Sequence, residues 1–302
     1  MNMKLLRFLF KKVLEKNLTT IVWYITFKCN YKCPYCIIKT KAKYYKKPFS
    51  KEIGVREWIK IFQKFPPSIV RITGGEPTLF EDFSELANKF PKKHILCITT
   101  NLSNIDELKK IKRRFIFLST SYHPYMTKIE DFISKAIRLR KKFFSLTAEC
   151  VAYPHILNDI VKMKEIFSKH DIKLNVDPYI DPEYSYTEDE LKKIKKLSVG
   201  ESIRIRAYGF DFQGYGKIKI CNAGSNYFVI IPNGDVYTCN AGFYYVTSPI
   251  HKKFRAKKSE FYLGNLFDNT FSRLKEEKIC YYPCSEACDI ETAKPKLLNR
   301  NF

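Results

Sequence analysis

Three cysteines stand close together near the start of the chain, at Cys29, Cys33 and Cys36, directly after the apolar run 19–27. Their spacing, three residues and then two, allows three thiolates to converge on one metal centre. A [4Fe–4S] cluster normally takes four cysteine thiolates, so three would leave one iron open. An open coordination position is typical of a catalytic metal, whereas a structural zinc site is the alternative that these residues alone leave open.

Glycine-rich and polar segments follow the next three predicted strands. The segment Gly74–Pro77 reads Gly-Gly-Glu-Pro, and two glycines let a backbone turn sharply and approach a ligand closely. The pair Thr100-Asn101 follows the next strand, where it would also suit a helix N-cap. Ser121 and His123 follow the fourth strand. His123 is the candidate catalytic residue, because the pKa of a free His side chain lies near neutrality; hydrogen bonding within the loop is the alternative role.

Alternating strand and helix patterns must position these segments. Short runs rich in Ile, Val, Phe and Tyr predict strands, and the intervening stretches have helical periodicity. Such repeats imply a parallel sheet, because parallel neighbours need crossover connections. We therefore predict an α/β fold, a partial (β/α)6 TIM-like barrel whose site lies at the carboxyl ends of its strands. The predicted strands are 19–27, 68–73, 94–99, 114–119, 145–153 and 173–177, and the predicted helices are 55–65, 80–89, 105–112, 129–142 and 155–169.

The pattern changes after residue 201, where long helical stretches end. Residues 226–239 predict a hairpin, because Asn233-Gly234 supplies the positive φ that a tight turn needs. A last helix is predicted over 270–277. Five cysteines accompany these elements: Cys221 precedes the hairpin, Cys239 ends it, and Cys280, Cys284 and Cys288 follow the helix with three residues between neighbours.

The Cys29–Cys36 spacing followed by Gly-Gly-Glu-Pro resembles the radical S-adenosylmethionine (radical SAM) superfamily, and the likeness covers residues 19–288. The resemblance implies that the three cysteines hold a [4Fe–4S] cluster whose open iron binds SAM. It implies that the reduced cluster cleaves SAM to a 5′-deoxyadenosyl radical, which abstracts hydrogen from a substrate. The enzyme would be an oxidoreductase served by a flavodoxin- or ferredoxin-like electron donor. The residues that it assigns to SAM binding are Tyr35, Gly74, Gly75, Glu76, Pro77, Thr100, Asn101 and Ser121.

The Cys221-x12-Gly234-x4-Cys239 hairpin and the three cysteines after it are similar to the auxiliary-cluster modules called SPASM and twitch. Five cysteines are too few for two further clusters, so the resemblance implies one auxiliary [4Fe–4S] cluster. Its preferred ligands are Cys221, Cys239, Cys284 and Cys288, with Cys280 as an alternative ligand. A zinc site from the same thiolates is the competing interpretation.

The composition bounds the chain's class and its compartment. The 302 residues carry a net charge of +23, from 54 basic and 31 acidic residues, with the basic residues scattered along the chain. Residues 1–17 predict an amphipathic helix rather than a signal peptide, because charged residues interrupt every apolar run. No run approaches the ~18 apolar residues of a membrane span. We therefore expect a cytoplasmic protein, in which the ten cysteines are cluster ligands or thiols.

The sequence thus predicts three regions: an amino-terminal helix over 1–18, a radical SAM partial barrel over 19–201 and an auxiliary-cluster domain over 202–302. A peptide or protein is the first predicted substrate, modified by oxidation or crosslinking, and a small molecule is the second. The charge leaves two alternatives open. One is a radical SAM enzyme that modifies tRNA or nucleobases, and the other is a non-enzymatic, basic zinc-binding protein.

Overall fold

Six parallel strands, joined in sequence through helices, form the first two thirds of the chain. The computed structural model describes residues 18–36, 53–179, 184, 186–197, 218–247, 256–282, 284, 293 and 296–297. The strands are β1 Thr19–Thr26, β2 Ser68–Gly74, β3 Ile95–Thr100, β4 Ile116–Ser121, β5 Ser145–Ala152 and β6 Leu174–Pro178. The helices are α1 Val55–Lys64, α2 Phe83–Lys89, α3 Ile105–Lys110, α4 Ile129–Arg140, α5 Ile160–Ser168 and α6 Glu188–Leu197, and short 3-10 turns lie at Pro77–Leu79 and Pro154–Ile156.

The order of these strands in the sheet follows their order in the chain, with β1 to β6 paired in parallel. The predicted partial barrel is confirmed, and each of the six predicted strands agrees with the structure to within two residues. The predicted helices 80–89 and 155–169 begin later than expected, because 3-10 turns that contain Pro77 and Pro154 precede them. Helix α6 was not predicted from the sequence.

The two faces of the sheet differ in chemistry. Residues such as Ile72, Ile98 and Leu118 are buried and pack under the helices in the main hydrophobic core. The alternate residues face the interior of the partial barrel, because side chains alternate along a strand. This interior face carries polar side chains: Arg71 on β2 and Glu149 on β5 lie there, half-buried, beside apolar residues such as Phe117 on β4. The fold therefore provides an apolar outer layer and an inner surface of mixed polarity that ends at the carboxyl edge of the strands.

The carboxyl-terminal part of the chain extends the same sheet. Strand β8 Tyr227–Ile230 pairs in parallel with β1, and β9 Asp235–Tyr237 and β10 Tyr262–Asn265 continue the sheet in antiparallel order. The predicted hairpin is confirmed, with Gly234 at a φ of +87° in its turn. A second sheet has the order β11–β7–β12, and its strands are β7 Lys219–Cys221, β11 Lys278–Cys280 and β12 Lys296–Leu297. The helices of this part are α7 Asn240–Thr247 and the short α8 Lys258–Phe261.

The predicted helix over 270–277 is wrong. The amides of Ser272 and Leu274 donate to the carbonyls of Leu263 and Gly224, which lie outside the predicted helix. Asn269, the residue before the predicted helix, has a φ of +61°. This left-handed conformation is incompatible with a right-handed helix at that position. These two amides, taken by other segments, cannot form the i to i−4 bonds that a helix requires. Helix α7, which begins directly after Cys239, was missed.

Some predictions fall on residues outside the described ranges. These are the amino-terminal helix over 1–17 and the boundary between the two predicted domains at residue 201. Both stay predictions. Among the described residues, no helix combines the length and the apolar character that crossing a membrane requires.

Candidate active site

The segment from Cys29 to Cys36, which we call the Cys29–Cys36 loop, follows β1 at the carboxyl edge of the sheet. Its second half is a turn in which the Cys36 amide donates to the Cys33 carbonyl at 3.2 Å. Cys33 and Tyr35 are buried, whereas Cys29 is exposed and accepts a hydrogen bond from the Tyr31 amide at 3.4 Å. The loop therefore presents its three thiols along one short, partly accessible segment.

Gly74 and Gly75 bring a second loop directly against this one. The Gly75 amide donates to the Thr26 carbonyl and the Glu76 amide to the Lys28 carbonyl, both at 2.8 Å. A Cβ atom on Gly74 would lie 2.1 Å from the Thr26 oxygen, and one on Gly75 would lie 2.1 Å from the Lys28 oxygen. Only glycine permits this approach at either position, because real Cβ atoms do not come within such a distance of a carbonyl oxygen.

The carboxylate of Glu76 stabilises this contact between the two loops. Its carboxylate is fully buried and accepts bonds from the amide and hydroxyl of Thr78, from the Thr100 hydroxyl at 2.8 Å and from the Asn101 amide at 2.7 Å. Burial raises the pKa of Glu76, while these four donors oppose the rise. A backbone amide can only donate a hydrogen bond, and one donates to each oxygen of Glu76. This arrangement favours the ionised carboxylate over the protonated acid. Glu76 thus acts on the site indirectly, by tying the ends of β2 and β3 together.

Asn101 connects β3 to the Cys29–Cys36 loop. Its side-chain amide donates to Asn30 Oδ1 at 3.3 Å and lies 4.0 Å from Cys29 Sγ. Ser103 donates to the same Asn30 oxygen at 3.1 Å. Thr100 is buried and its hydroxyl donates to Glu76, so its side chain stabilises the loop and is not exposed at the surface of the site. Of the residues that the resemblance assigned to SAM, Gly75, Glu76, Thr100 and Asn101 therefore form one hydrogen-bonded unit with the thiol loop and the strand that leads into it.

His123 lies beside the loop rather than apart from it. Its Nδ1 is 3.2 Å from the Tyr35 hydroxyl, and its ring contacts Tyr31 edge-on with centroids 6.0 Å apart. Burial lowers the pKa of His123 to about 4 and raises the pKa of Tyr35. Both side chains are therefore neutral at pH 7 and share one hydrogen bond between the Tyr35 hydroxyl and His123 Nδ1. This geometry supports a role for His123 in positioning the loop.

The thiols of the loop influence one another's ionisation. Burial, and then the neighbouring Cys36 and Cys29, raise the pKa of Cys33 to about 12. Burial likewise raises the pKa of Cys29, and Cys36 contributes to that rise. Among the described residues, no three His, Cys, Asp or Glu side chains are placed to hold a single metal ion. A single zinc ion needs all its ligands around one atom, whereas a cubane spreads its cysteines over separate irons. The Cys29–Cys36 loop supplies three thiols close together in the chain, which are the donors that a [4Fe–4S] cluster takes.

A second group of cysteines meets in the carboxyl-terminal part. Cys221, Cys239, Cys280 and Cys284 line one small cavity, which we call the C-terminal thiol pocket. Three of these are preferred ligands of the predicted auxiliary cluster and the fourth, Cys280, is the alternative. Cys288 lies outside the described residues. The chemistry of four thiols around one cavity fits an iron–sulfur cluster.

Cys239 of this pocket directly precedes helix α7. The Gly242 amide donates to Cys239 Sγ at 3.2 Å, so the positive end of the helix faces the sulfur. The next residue, Asn240, is buried, accepts from the Tyr24 hydroxyl of β1 at 2.6 Å and donates to the Tyr227 hydroxyl at 2.9 Å. Buried hydrogen bonds therefore join the pocket to the strand that leads into the Cys29–Cys36 loop.

Several residues of these sites were missed from the sequence. The interior face of the barrel holds two buried polar atoms, Ser119 Oγ and Asn175 Oδ1, with no hydrogen-bond partner among the described residues. Lys219 lines the C-terminal thiol pocket. Alternation of side chains along a strand could have indicated these residues from the sequence. Lys219, for example, stands two residues before Cys221 and therefore shares its face of the strand. Asn30, inside the cysteine motif, carried no signal of its own.

Comparison with known proteins places this geometry in context. Residues 23–153 match the model of the Radical SAM superfamily. A Methanocaldococcus jannaschii protein that carries the provisional name glycyl-radical enzyme activating enzyme is 24% identical over 223 residues, which are 67% of this chain and 86% of that protein.

Solved structures resemble the fold. Streptococcus suis SuiB bound to the precursor peptide SuiA has a TM-score of 0.53 at 17% identity, over 76% of this chain and 62% of that one. Native anSMEcpe with bound AdoMet and the Kp18Cys peptide has a TM-score of 0.55 at 19% identity, over 83% of this chain and 78% of that one. At these identities, the likeness shows the fold alone.

Proposed function

We propose, on the premise that this chain is a radical SAM enzyme whose radical SAM domain spans residues 23–153, that it modifies a peptide or protein by abstracting a hydrogen atom. One observation carries the proposal: the backbone that leads into the Cys29–Cys36 loop, at Thr26 and Lys28, is hydrogen-bonded to the Gly74–Glu76 turn at the carboxyl edge of a parallel sheet. In a partial barrel of this kind, the active site lies at that edge.

Cys29, Cys33 and Cys36 would hold a [4Fe–4S] cluster with one open iron. When bound, this cluster supplies the electron that cleaves SAM to a 5′-deoxyadenosyl radical. The protein's own residues do the rest. Gly74 and Gly75 keep backbone groups near the cluster, and their lack of side chains lets the two loops touch.

The residues around this centre would orient SAM and hold the loop rigid. Asn101 contacts Asn30 and Cys29, and Glu76 fixes Asn101 through its backbone amide. Tyr35, held by His123, closes the loop from the side of β4. We assign Ser121, at the end of β4, to the same SAM-binding surface. His123 is a positioning residue in this scheme, because its Nδ1 is taken by Tyr35.

A row of aromatic side chains beside the cluster loop supports a peptide substrate. Tyr35 contacts Tyr153, with centroids 5.2 Å apart, and Tyr153 contacts Tyr179 at the same distance. Tyr125 contacts both Tyr35 and Tyr153 and is 50% exposed. Tyrosine is enriched where proteins bind peptide chains, since it offers an apolar ring and a polar edge.

The unpartnered polar atoms of Ser119 and Asn175 support the same assignment, because backbone amides and carbonyls of a substrate could complete their hydrogen bonding. SuiB and anSMEcpe, which share this fold, are solved with peptides bound. An activated partner enzyme, as the name of the M. jannaschii protein implies for that protein, is also a polypeptide.

The C-terminal thiol pocket would hold one auxiliary [4Fe–4S] cluster in a SPASM- or twitch-like module. Four cysteines line the pocket, so each iron would have a protein thiolate. Such a cluster could take up the electron that a substrate radical releases, which makes the net reaction an oxidation. Its thiolates and those of the first cluster require a reducing compartment, and we therefore place the enzyme in the cytoplasm, supplied by a flavodoxin- or ferredoxin-like donor.

Metal analysis and electron paramagnetic resonance of anaerobically purified, reduced protein test this proposal. Two clusters predict roughly eight irons per chain and a signal that SAM perturbs. Roughly four irons would retain the SAM cluster and remove the auxiliary one. Zinc in place of iron would support the zinc-binding alternative and contradict the proposal.

The substrate class needs a separate experiment. Reduced enzyme with SAM should form more 5′-deoxyadenosine when a cellular peptide fraction is added than when an RNA fraction or a small-molecule fraction is added. Stimulation by RNA that declines steeply with salt would favour the tRNA alternative, because phosphate contacts release counterions. Stimulation by small molecules alone would contradict the peptide assignment.

A further inference from the structure

Lys219 is a buried lysine in an unusual place. Its side chain is fully buried, and its Nζ finds no hydrogen-bond acceptor among the described residues. It stands on β7 two residues before Cys221, on the same face, and it is paired across the sheet with Cys280 of β11. Directly opposed residues have Cβ atoms about 5 Å apart. Lys219 therefore points into the C-terminal thiol pocket, between two of its cysteines.

An ammonium group in such a position needs a negative partner. Removing a charge from water costs several kcal/mol unless it is paired. The described residues that line the pocket include no Asp or Glu. Besides two tyrosine hydroxyls, which ionise only at about pH 10, the pocket contains four thiols, and these become anionic when they bind iron.

A second lysine provides the contrast. Lys278 also lines the pocket and is paired across the sheet with Cys221. Its Nζ, however, donates to Thr238 Oγ1 at 3.2 Å and to the Glu260 carbonyl at 3.3 Å, and lies 4.1 Å from the centre of the Phe261 ring. Lys278 is thus satisfied by protein groups, while Lys219 is not.

We propose that Lys219 is the counter-ion of an iron–sulfur cluster held by Cys221, Cys239, Cys280 and Cys284, and that its ammonium raises the reduction potential of that cluster. This inference rests on the proposed auxiliary cluster. A cubane with four thiolates is anionic, and each reduction adds one more negative charge. A positive charge in a low-dielectric pocket stabilises the reduced form more than the oxidised form. The amide of Gly242 acts in the same direction on Cys239.

The electron balance is simple. One electron enters the auxiliary cluster, and no proton or bond of Lys219 changes. In turnover the electron comes from the substrate radical, which is oxidised by one electron. In a titration it comes from a viologen mediator. Lys219 therefore acts on the cluster only through its charge. The reduction potential of the cluster reports this effect without any substrate.

Redox titration of Lys219→Met, followed by electron paramagnetic resonance, tests the proposal. Met keeps the unbranched shape and most of the length of the side chain and removes the charge. We expect the reduction equilibrium of the auxiliary cluster to weaken at least about tenfold, which is 59 mV for a one-electron couple, while the SAM-binding cluster keeps its midpoint. Lys296→Gln on the neighbouring strand β12 makes the same change of charge in an exposed position and should shift neither midpoint.

The outcomes separate the proposed auxiliary cluster from the proposed role of Lys219. Wild-type protein with roughly four irons has no auxiliary cluster, which overturns both of these assignments. Roughly eight irons with an unchanged midpoint in Lys219→Met overturns the role of Lys219 alone.

A measurement on folded protein covers the case in which Lys219→Met loses its auxiliary iron. Pulsed electron paramagnetic resonance of 15N-lysine-labelled protein should detect a lysine nitrogen coupled to the reduced auxiliary cluster, in the wild type and in Lys278→Gln alike. Absence of that coupling in the wild type, or its loss in Lys278→Gln, would overturn the assignment to Lys219.

Discussion

The Cys29–Cys36 loop and the C-terminal thiol pocket differ in what surrounds their sulfurs. The loop has one exposed cysteine and is held by side-chain amides and a buried carboxylate, with Asn101 and Glu76 at the centre of the network. The pocket lies between strands and a helix, with Cys221 and Cys239 buried and Cys280 and Cys284 half-buried, and the charged residues that line it are lysines. A site that must admit a cofactor needs an open side, whereas a site that only exchanges electrons is better closed. The contrast fits the proposed roles, in which the first site does the chemistry and the second exchanges electrons.

The largest expected effect separates the two sites by mutation. Cys33→Ala should abolish SAM cleavage, because the SAM-binding cluster loses a ligand. Formation of 5′-deoxyadenosine by reduced protein measures this loss. Cys97→Ala is the matched control, since Cys97 lies in the same sheet, and burial raises its pKa to about 11. Retained cleavage in Cys33→Ala would contradict the assignment of the loop.

The pocket should respond differently. Cys239→Ala should remove about half of the iron, leave SAM cleavage without substrate intact and stop product formation. Iron analysis and the same 5′-deoxyadenosine assay measure the two effects on one sample. Loss of SAM cleavage in Cys239→Ala would show that the first site depends on the pocket, which would contradict separate roles for the two sites.

The third prediction concerns the contact between the two loops of the first site. Gly75→Ala places a Cβ 2.1 Å from the Lys28 oxygen, which must move. We expect a loss of about 3 kcal/mol in the free energy of unfolding, because overpacking against backbone has no flexible neighbour to absorb it. Chemical denaturation and SAM-cluster content measure this change. In the control Gly54→Ala, the Cβ would meet the flexible end of Glu57, so the cost should be small.

Glu76→Gln tests the buried network that supports the loop. One carboxylate oxygen becomes an amide group, so that a donor faces either the Asn101 amide or the donors from Thr78 and Thr100. Leaving a buried donor unsatisfied costs about 2 kcal/mol, so unfolding free energy should fall by that amount. Glu57→Gln on helix α1 is the exposed control. Equal stability of the two variants would show that Glu76 has no supporting role.

The smallest effect is a pH dependence from His123. Its pKa is lowered to about 4 by burial, below the usual 6.5, so the unfolded chain binds more protons than the folded one between these values. Stability is therefore complete above pH 6.5 and is lost as the pH falls towards 4, by about 1 kcal/mol at pH 5.5. Thermal unfolding of the wild type and His123→Gln at pH 7.5 and 5.5 measures it. The variant should lose less stability than the wild type; an equal loss in both would contradict the burial of a neutral His123.

Local patterns predicted most of the first site. The alternation of strands and helices identified six parallel strands, and motifs at strand ends are brought together by any parallel sheet. The residues Cys29, Gly75, Glu76 and Asn101 were all named from the sequence, and the structure joins them. What the sequence could not give was the direction of each side chain, such as that of Thr100 towards Glu76.

Helix predictions in the carboxyl-terminal part were less successful. Residues 270–277 have a helical composition, yet the amides of Ser272 and Leu274 bond to distant segments. The helix after Cys239 was missed because Asn240–Thr247 contains aromatic and β-branched residues, which are weak helix formers. Packing against β1, through Tyr24 and Phe243, outweighs that weak propensity.

The sequence by itself determined the repeating units, the hairpin at Asn233-Gly234 and the cysteines available to each cluster, because these depend on neighbours a few residues apart. Tertiary structure alone decided that β8 pairs with β1 across some two hundred residues, that Cys280 joins the C-terminal thiol pocket and that Lys219 is buried among its thiols. These are contacts between distant segments. Their free energy comes from burial and pairing that exist only after the chain has folded, so no local pattern encodes them.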